Sequence, residues 1–356
     1  MKKRLSINDI ARSLNVSKTT ISFILNGRAQ EMRIGDELVD RVLKFVNEVG
    51  FKPNSLAQSL RSGKSNIIGL MVEDISNPFF AKIARYIEDR AYQSGYKIIY
   101  CSTNNNTKKT QDLIAMYRDR HIDGYIIAPP EGIEEDIEAL LKDNLPVVLF
   151  DRNLPKVETD YIEIDNRFST YNATSHLIEQ GKKNIAYITF SSKQTQMQAR
   201  IKGYKNAMKE MGLEPIVKEV MFNQNEDFII EPIKAYLKQH TELDAVFFGT
   251  DHIGSCGLKV IQALGIKVPS DLAVISFDDY DVFKLYSPPI SAIAQPIEKI
   301  AENIISVLLH KLNAPTVYQK PQTITLKTTF NIRASSKSSS ADQVLINPGT
   351  KLISEN

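Results

Sequence analysis

Apolar residues follow two different patterns along the chain. Over the first fifty residues they recur three and four apart: Ile7, Ile10, Ala11 and Leu14 trace one helical face, Ile21, Ile24 and Leu25 a second, and Leu38, Val42, Phe45 and Val46 a third. From Asn66 onward near-continuous apolar runs alternate with amphipathic stretches. The first set is IIGLMV (67–72), YKIIYCS (96–102), GYIIA (124–128) and VVLF (147–150). The second is NIAYITF (184–190), KEVMF (218–222), DAVFFGT (244–250) and LAVISFD (272–278). Runs of that length read as strands buried on both faces, and their alternation with helices predicts doubly wound parallel sheets. Two such sets predict two α/β lobes behind a small all-α head.

The punctuation of the head is specific. Ser6 is placed to cap the first helix with Asp9 three residues on, a capping-box spacing. Asn15 tolerates the left-handed conformation that a sharp turn needs. Val16 plugs the corner, Ser17 caps the next helix and Asn26-Gly27 ends it. Two short helices joined in this way form a helix-turn-helix, whose second helix enters a DNA major groove. That helix carries an aromatic ring, Phe23, among Lys18, Thr19, Ser22 and Asn26. The stretch after it, FKPNSLAQSLRSGK (51–64), starts at a proline and ends near a glycine. A helix so short is marginal alone in water and forms only when something packs on it.

Charge sharpens this division. The 356 residues carry a net charge of +2. Residues 1–64 hold twelve Lys/Arg against six Asp/Glu, a net of +6, and the remainder a net of −4. A basic head on a mildly acidic body points the head alone at a polyanion. No run approaches the roughly 18 apolar residues of a membrane span. MKKRLSINDIARS has no apolar segment of a secretory signal, so a cytoplasmic protein is expected. Cys101 and Cys256 lie in no metal-type spacing and read as reduced thiols. The five histidines make no HExxH, and neither a GxSxG elbow nor a phosphate-binding loop occurs, so neither catalysis, metal nor cofactor is expected.

The run Ser6–Gly27 followed by PNSLAQSLRSGK resembles the DNA-binding head of the lactose-repressor (LacI/GalR) family. The resemblance continues in family order through EDISNPFF (73–80), HIDGYIIAPP (121–130), PVVLFDR (146–152), EIDN (163–166), ARIKGYKNAM (199–208), FFGTD (247–251), ISFDD (275–279) and YSPPISAIAQP (286–296). It implies that Lys18, Thr19 and Phe23 face base edges, and that Ser6, Ser17, Thr20, Ser22 and Asn26 hold phosphates. It also implies a hinge helix in the minor groove, with Asn54, Ala57, Gln58 and Leu60 on DNA and Leu60 as the wedge. Many relatives have arginine where this chain has Phe23, and RAQEMRIGDE is longer than the family's usual loop. The operator is therefore not transferable from relatives.

For the body the resemblance implies a periplasmic-binding-protein-like fold. The expected layout is a head over 1–52, a hinge helix over 53–65, an N-lobe of 66–165 with 293–323, a C-lobe of 166–292 with 324–334, and a disordered tail over 335–356. Parallel sheets place ligands beyond the carboxyl ends of their strands. Asn77, Phe79 and Phe80, Asp151 and Arg152, Thr250 and Asp251, and Asp278 stand there, with Arg200 on the helix after NIAYITFSS. Arg200 and Asp278 match the positions at which the family grips its ligands. Carboxylates, an arginine and aromatic walls suit a hydroxylated ligand such as a sugar. Gln194, where purine-binding relatives have a second arginine, disfavours a purine. The tail lacks the leucine heptad of tetrameric relatives, so a homodimer on a pseudo-palindromic double-stranded DNA operator is expected. The competing readings are a solute-binding protein of a transporter and a regulator controlled by a protein corepressor.

Overall fold

The computed structural model describes residues 5–51, 63–223, 225–314 and 320–337. The chain divides into two compact units, one holding the head through Ile67 with Arg118–Asp123 and the other the rest of the body.

In the head, α1 spans Ile7–Leu14, α2 Lys18–Leu25 and α3 Asp36–Glu48. The capping box is formed, with the Asp9 amide donating to Ser6 Oγ and the Asp9 carboxylate accepting from the Ser6 amide. Asn15 adopts the left-handed conformation, φ 51°, which turns the chain so that the Val16 amide reaches the Ala11 carbonyl. Ser17 Oγ then accepts from the Thr20 amide at 3.0 Å. Ile10, Ala11, Ile21, Ile24 and Val42 form the buried centre, with Leu38, Phe45 and Val46 packed around it. Gly35 caps α3 without a side chain, and Asp36 and Glu37 in the first turn complement the helix dipole instead.

The body contains two six-stranded sheets with the same strand order. The first is built from β1 (Ile67–Val72), β2 (Lys97–Ser102), β3 (Gly124–Ile127), β4 (Val147–Phe150), β5 (Asp160–Ile164) and β11 (Thr323–Leu326), in the order β11-β5-β4-β3-β1-β2. The second is built from β6 (Ile185–Phe190), β7 (Ile216–Val220), β8 (Ala245–Phe248), β9 (Ala273–Phe277), β10 (Ser291–Ala294) and β12 (Thr329–Asn331), in the order β12-β10-β9-β8-β6-β7. Of the pairings whose register is described, all are parallel except β10 with β12. The connecting helices are α4 (Pro78–Gln93), α5 (Thr107–Asp119), α6 (Glu134–Lys142), α7 (Asn166–Glu179), α8 (Thr195–Glu210), α9 (Asp227–Gln239), α10 (Asp251–Ala263), α11 (Asp281–Leu285) and α12 (Ile297–Asn313).

The crossings between lobes follow from these pairings. The first lies between the end of β5 at Ile164 and the start of α7 at Asn166. The second follows Ala294 rather than Ala292, because Ser291–Ile293 pair with β9. The third follows Leu326 rather than Thr323, because Thr323–Leu326 pair in register with β5. The strands β5, β10, β11 and β12 are short and mix polar with apolar residues, so their runs carry no continuous apolar signal. None of the four is marked as a strand by its own residues.

Chain packing also extends past the expected start of the tail. Ser335 and Ser336 are buried. Ser335 Oγ donates to the Val274 carbonyl at 2.6 Å and accepts from the Ser291 amide at 2.8 Å. Ser336 Oγ meets Ser291 Oγ at 2.7 Å and His176 Nε2 at 2.9 Å. A serine-rich composition reads as disorder, but these two hydroxyls are buried and hydrogen-bonded to β9, β10 and α7. Residues 338–356 of the assigned tail lie outside the described residues.

Close helix packing positions the second lobe's site. Gly203 on α8 faces the α7 backbone so tightly that a Cβ there would overlap the Arg167 carbonyl. That contact holds α7 and α8 together and sets Arg200, one turn earlier, beside Asn166.

Candidate functional sites: the second helix of the head and the cleft of the body

On α2, Lys18 and Thr19 are exposed, and Thr20, Ser22 and Phe23 are half-buried. Ser6, Ser17 and Asn26 are exposed at the helix ends. The Asn26 amide group donates to the Ser22 carbonyl at 2.6 Å, closing the last turn. Phe23 is outside the buried core of the head. Its ring lies 5.6 Å from the Arg28 guanidinium carbon, in cation–π range. Arg28 is itself held by Glu31 at 2.7 Å. The longer loop therefore contributes a cation to the same face as Phe23. Asn54, Ala57, Gln58 and Leu60, with most of the assigned hinge, lie outside the described residues.

In the body, a cleft of about 740 Å³ is lined by the carboxyl ends of strands from both sheets. Asn77, Phe79, Phe80, Asp151, Arg152, Arg200, Thr250, Asp251 and Asp278 all line it. The sequence order of these residues says nothing of this convergence; the parallel topology produces it. Asn77 and Thr250 also work locally: Asn77 Oδ1 accepts from the Phe79 amide at 2.8 Å and caps α4, and Thr250 caps α10. Phe79 and Phe80 are mostly core, packed edge to face at 5.0 Å.

The two lobes present related arrangements. Asp151 and Asp278 follow the third strand of each sheet, β4 and β9, and both hold left-handed backbones, φ 65° and 67°. Aspartate is among the few residues with a Cβ that tolerate this conformation, and it recurs at the same place in both sheets. Beside Asp151, the guanidinium of Arg152, 4% exposed, binds Glu73, Asn105 and, at 3.2 Å, Asp151 itself. Beside Asp278, Arg200, 3% exposed, donates to Asn166 Oδ1 at 2.8 Å and to the Gly249 carbonyl at 2.9 Å, and lies 4.0 Å from Asp278. Gln295 donates to the other Asp278 oxygen at 2.6 Å.

Burial raises the carboxyl of Asp151 above its ordinary range, against the pull of Arg152 and Arg200. Burial likewise raises Asp278, against Arg200 and the Gln295 hydrogen bond. Burial and the neighbouring Asp278 charge push Asp251 up to about 7. Desolvation thus outweighs pairing at all three.

Several further residues line the cleft. Glu73 and Asn105 enter only as partners of Arg152. Gln295 stands at the second lobe crossing. Phe190 and Phe222 stand edge to face at 5.4 Å, each 5.8 Å from the His252 ring. The EDISNPFF and AIAQP blocks contain Glu73 and Gln295, so attention to every polar residue at a strand end would have found them. Phe222 closes the KEVMF stretch expected as a strand, but β7 runs Ile216–Val220, which leaves Phe222 on the loop beyond it.

One group of metal-type donors is present among the described residues. Glu226, His252 and Cys256 bring one ligand atom each to within 4.8 Å of one another. The Glu226 carboxylate already pairs with Lys259, and burial pushes the Cys256 thiol up to about 11. Both donors are thus engaged in ordinary packing and pairing. Cys101 accepts a hydrogen bond from the Tyr117 hydroxyl at 3.0 Å. Among the described residues no helix is long and apolar enough to cross a membrane.

A helix-turn-helix head and a two-lobed α/β body with an interlobe cleft, in one chain, define a ligand-binding-type body joined to a DNA-binding module. Comparison with known proteins agrees with each half. Residues 6–54 match the bacterial regulatory proteins of the lacI family, and residues 174–336 match the periplasmic binding protein-like domain. The chain is 31% identical to the HTH-type transcriptional regulator DegA of Bacillus subtilis over 83% of its own length and 88% of that protein. It is 29% identical to the ribose operon repressor of Haemophilus influenzae, over 93% and 98% of the two chains. A ribose-bound LacI-family regulator from Enterococcus faecium superposes with a TM-score of 0.68 at 26% identity, covering 76% of this chain and 98% of that one. The chain belongs to the LacI family of bacterial transcriptional regulators, which bind DNA and are not enzymes.

Proposed function

We propose that the protein is a cytoplasmic homodimer whose two heads read the halves of a pseudo-palindromic operator, and whose cleft binds a sugar or sugar derivative that changes operator affinity. The observation that carries the ligand half is the convergence of aromatic walls, carboxylates and two buried guanidiniums in a cleft of about 740 Å³ between the two sheets. Planar charged groups bridge vicinal hydroxyls, and a cleft of this size suits a mono- or disaccharide. One relative is a ribose operon repressor and another LacI-family regulator holds bound ribose, which supports the same ligand class.

Ligand closure of the lobes shifts their relative arrangement, and its leverage equals the difference in ligand affinity between the two arrangements. The residues that match the family's hinge, Asn54, Ala57, Gln58 and Leu60, would transmit that shift to the minor groove. The test is to select bound duplexes from a random DNA library with the full chain, then titrate the selected operator with a panel of sugars. The expected result is a two-fold-related consensus whose affinity one sugar class changes at least tenfold. A consensus without symmetry overturns the dimeric reading, and an operator affinity indifferent to every sugar overturns the effector class.

A further inference from the structure

Six carboxylates line the cleft, from Glu73, Asp74, Asp151, Glu226, Asp251 and Asp278, against two guanidiniums, Arg152 and Arg200. Two of the six are satisfied elsewhere: Glu226 by Lys259, and Asp74 by the amide and hydroxyl of Ser76 at 2.9 and 2.8 Å. Four carboxylates remain for two cations, and their placement is symmetric. Arg152 is bracketed by Glu73 and Asp151. Arg200 lies beside Asp278 and within the field of Asp251.

Part of the donor set of each arginine is committed to the protein, which leaves the remaining N–H groups for ligand hydroxyls. Every guanidinium nitrogen of Arg152 has a protein acceptor. Arg200 spends Nε on Asn166 and Nη1 on the Gly249 carbonyl. Its guanidinium face is covered by the Phe277 ring, 3.5 Å away. A separate observation points the same way. Gln196, 5% exposed, lines the cleft and directs its amide nitrogen to Gln194 at 3.2 Å and Asp151 at 3.5 Å. Its carbonyl oxygen is buried with no donor among the described residues. The wall therefore presents surplus acceptors and surplus negative charge.

Phosphates and ionised carboxylates bring only acceptors, whereas hydroxyls and ammonium groups bring donors. Resting on the sugar-binding reading above, we infer that the cleft takes an uncharged polyol, or one carrying a protonated amine, and rejects the phosphate esters and sugar acids of the same skeleton. An added anion would face unneutralised carboxylates in a partly desolvated site, where like charges repel far more strongly than in water. The raised carboxyl ranges of Asp151 and Asp278, and of Asp251 at about 7, show the negative charge of the wall already at a cost that an ammonium group would relieve.

The test uses the full chain and a matched panel: ribose, xylose, glucose, galactose, mannose and cellobiose, with glucosamine, galactosamine, ribose 5-phosphate, glucose 6-phosphate, glucuronate and galacturonate. Melting-temperature shifts find the binders, and calorimetry ranks the charge forms of each. The expected result is binding by neutral or amine forms, with the phosphate and acid of the same sugar at least tenfold weaker. Exchange of Glu73→Gln with Asp251→Asn should then narrow that discrimination about tenfold. A phosphate or acid that binds as tightly as its neutral parent overturns the inference while leaving the sugar-binding reading intact. Binding by no member in any charge form overturns both.

Discussion

The guanidinium carbon of Arg200 lies 3.5 Å from the centre of the Phe277 ring, directly before the left-handed Asp278 that faces the same group at 4.0 Å. Strand β9 thus supplies both the platform and the counter-charge for an arginine delivered by α8. The stacking fixes the plane of the guanidinium, and Asn166 and Gly249 fix its rotation. A planar, preorganised fork is the property that a lysine lacks.

Arg200→Lys should accordingly abolish the effector response while operator binding in the absence of effector persists. Lysine keeps the charge but cannot make both hydrogen bonds to Asn166 and the Gly249 carbonyl, so the variant should also lose about 1–3 kcal/mol of stability. Denaturant unfolding and an operator titration with and without the effector measure both effects. An undiminished response would place the grip elsewhere in the cleft.

Gly203→Ala tests whether α8 is positioned by close backbone packing. The added methyl meets the Arg167 carbonyl and the Tyr171 amide, neither of which yields as a side chain does. Overpacking of this kind costs about 3 kcal/mol, and effector affinity should fall with it because Arg200 shares the helix. A variant with the parent's melting temperature would show that α7 and α8 move apart freely.

The pH dependence of stability follows from Asp251. Its folded carboxyl titrates near 7, well above the unfolded value near 4, so the folded state binds more protons in between. Stability from this group is therefore greatest in acid and declines as pH rises from about 4 to 7. Asp251→Asn removes that decline and should stabilise the protein at pH 8 by a few kcal/mol on the scale of such shifts. Unfolding curves of both proteins at pH 5 and pH 8 decide it; equal pH slopes would contradict the raised value.

Phe23 in the head is poised between two roles. An apolar ring in a major groove packs on a thymine methyl, while the 5.6 Å approach of Arg28 gives it a partner within the head. Phe23→Arg should shift one position of each half-site toward guanine, by roughly tenfold or more in relative affinity. An unchanged base preference with a lowered melting temperature would assign the ring to packing against the Arg28 loop.

Ser335→Ala should cost about 1–2 kcal/mol, since it strips partners from the Val274 carbonyl and the Ser291 amide in a buried place. Denaturant unfolding of the variant beside the parent measures that loss, and equal midpoints would show that Ser335 adds nothing to the fold.

What the residues say by themselves is local. Capping at Ser6, the left-handed turn at Asn15 and the helical spacing of Ile10, Ile21, Ile24 and Val42 all act within a few residues, and they made the head legible. The same holds for the long apolar strands, whose burial on both faces leaves an unbroken run such as VVLF or AVFF. Strands such as TITL at 323–326 and TFN at 329–331 are defined by their partners, β5 and β10, far away in sequence. Their half-polar pattern carries no signal, so the lobe crossings shifted by a few residues when the pairings were known. In the cleft, strand-end position made Asp151, Arg152, Asp251 and Asp278 visible as candidates. Tertiary packing alone decided that Glu73 and Asn105 hold Arg152 and that Gln295 holds Asp278. It likewise decided that the Gln196 carbonyl is buried without a donor, and that carboxylates outnumber cations there. Charge balance in a cleft depends on which side chains share a desolvated volume, and that is a property of the folded chain in three dimensions rather than of its order.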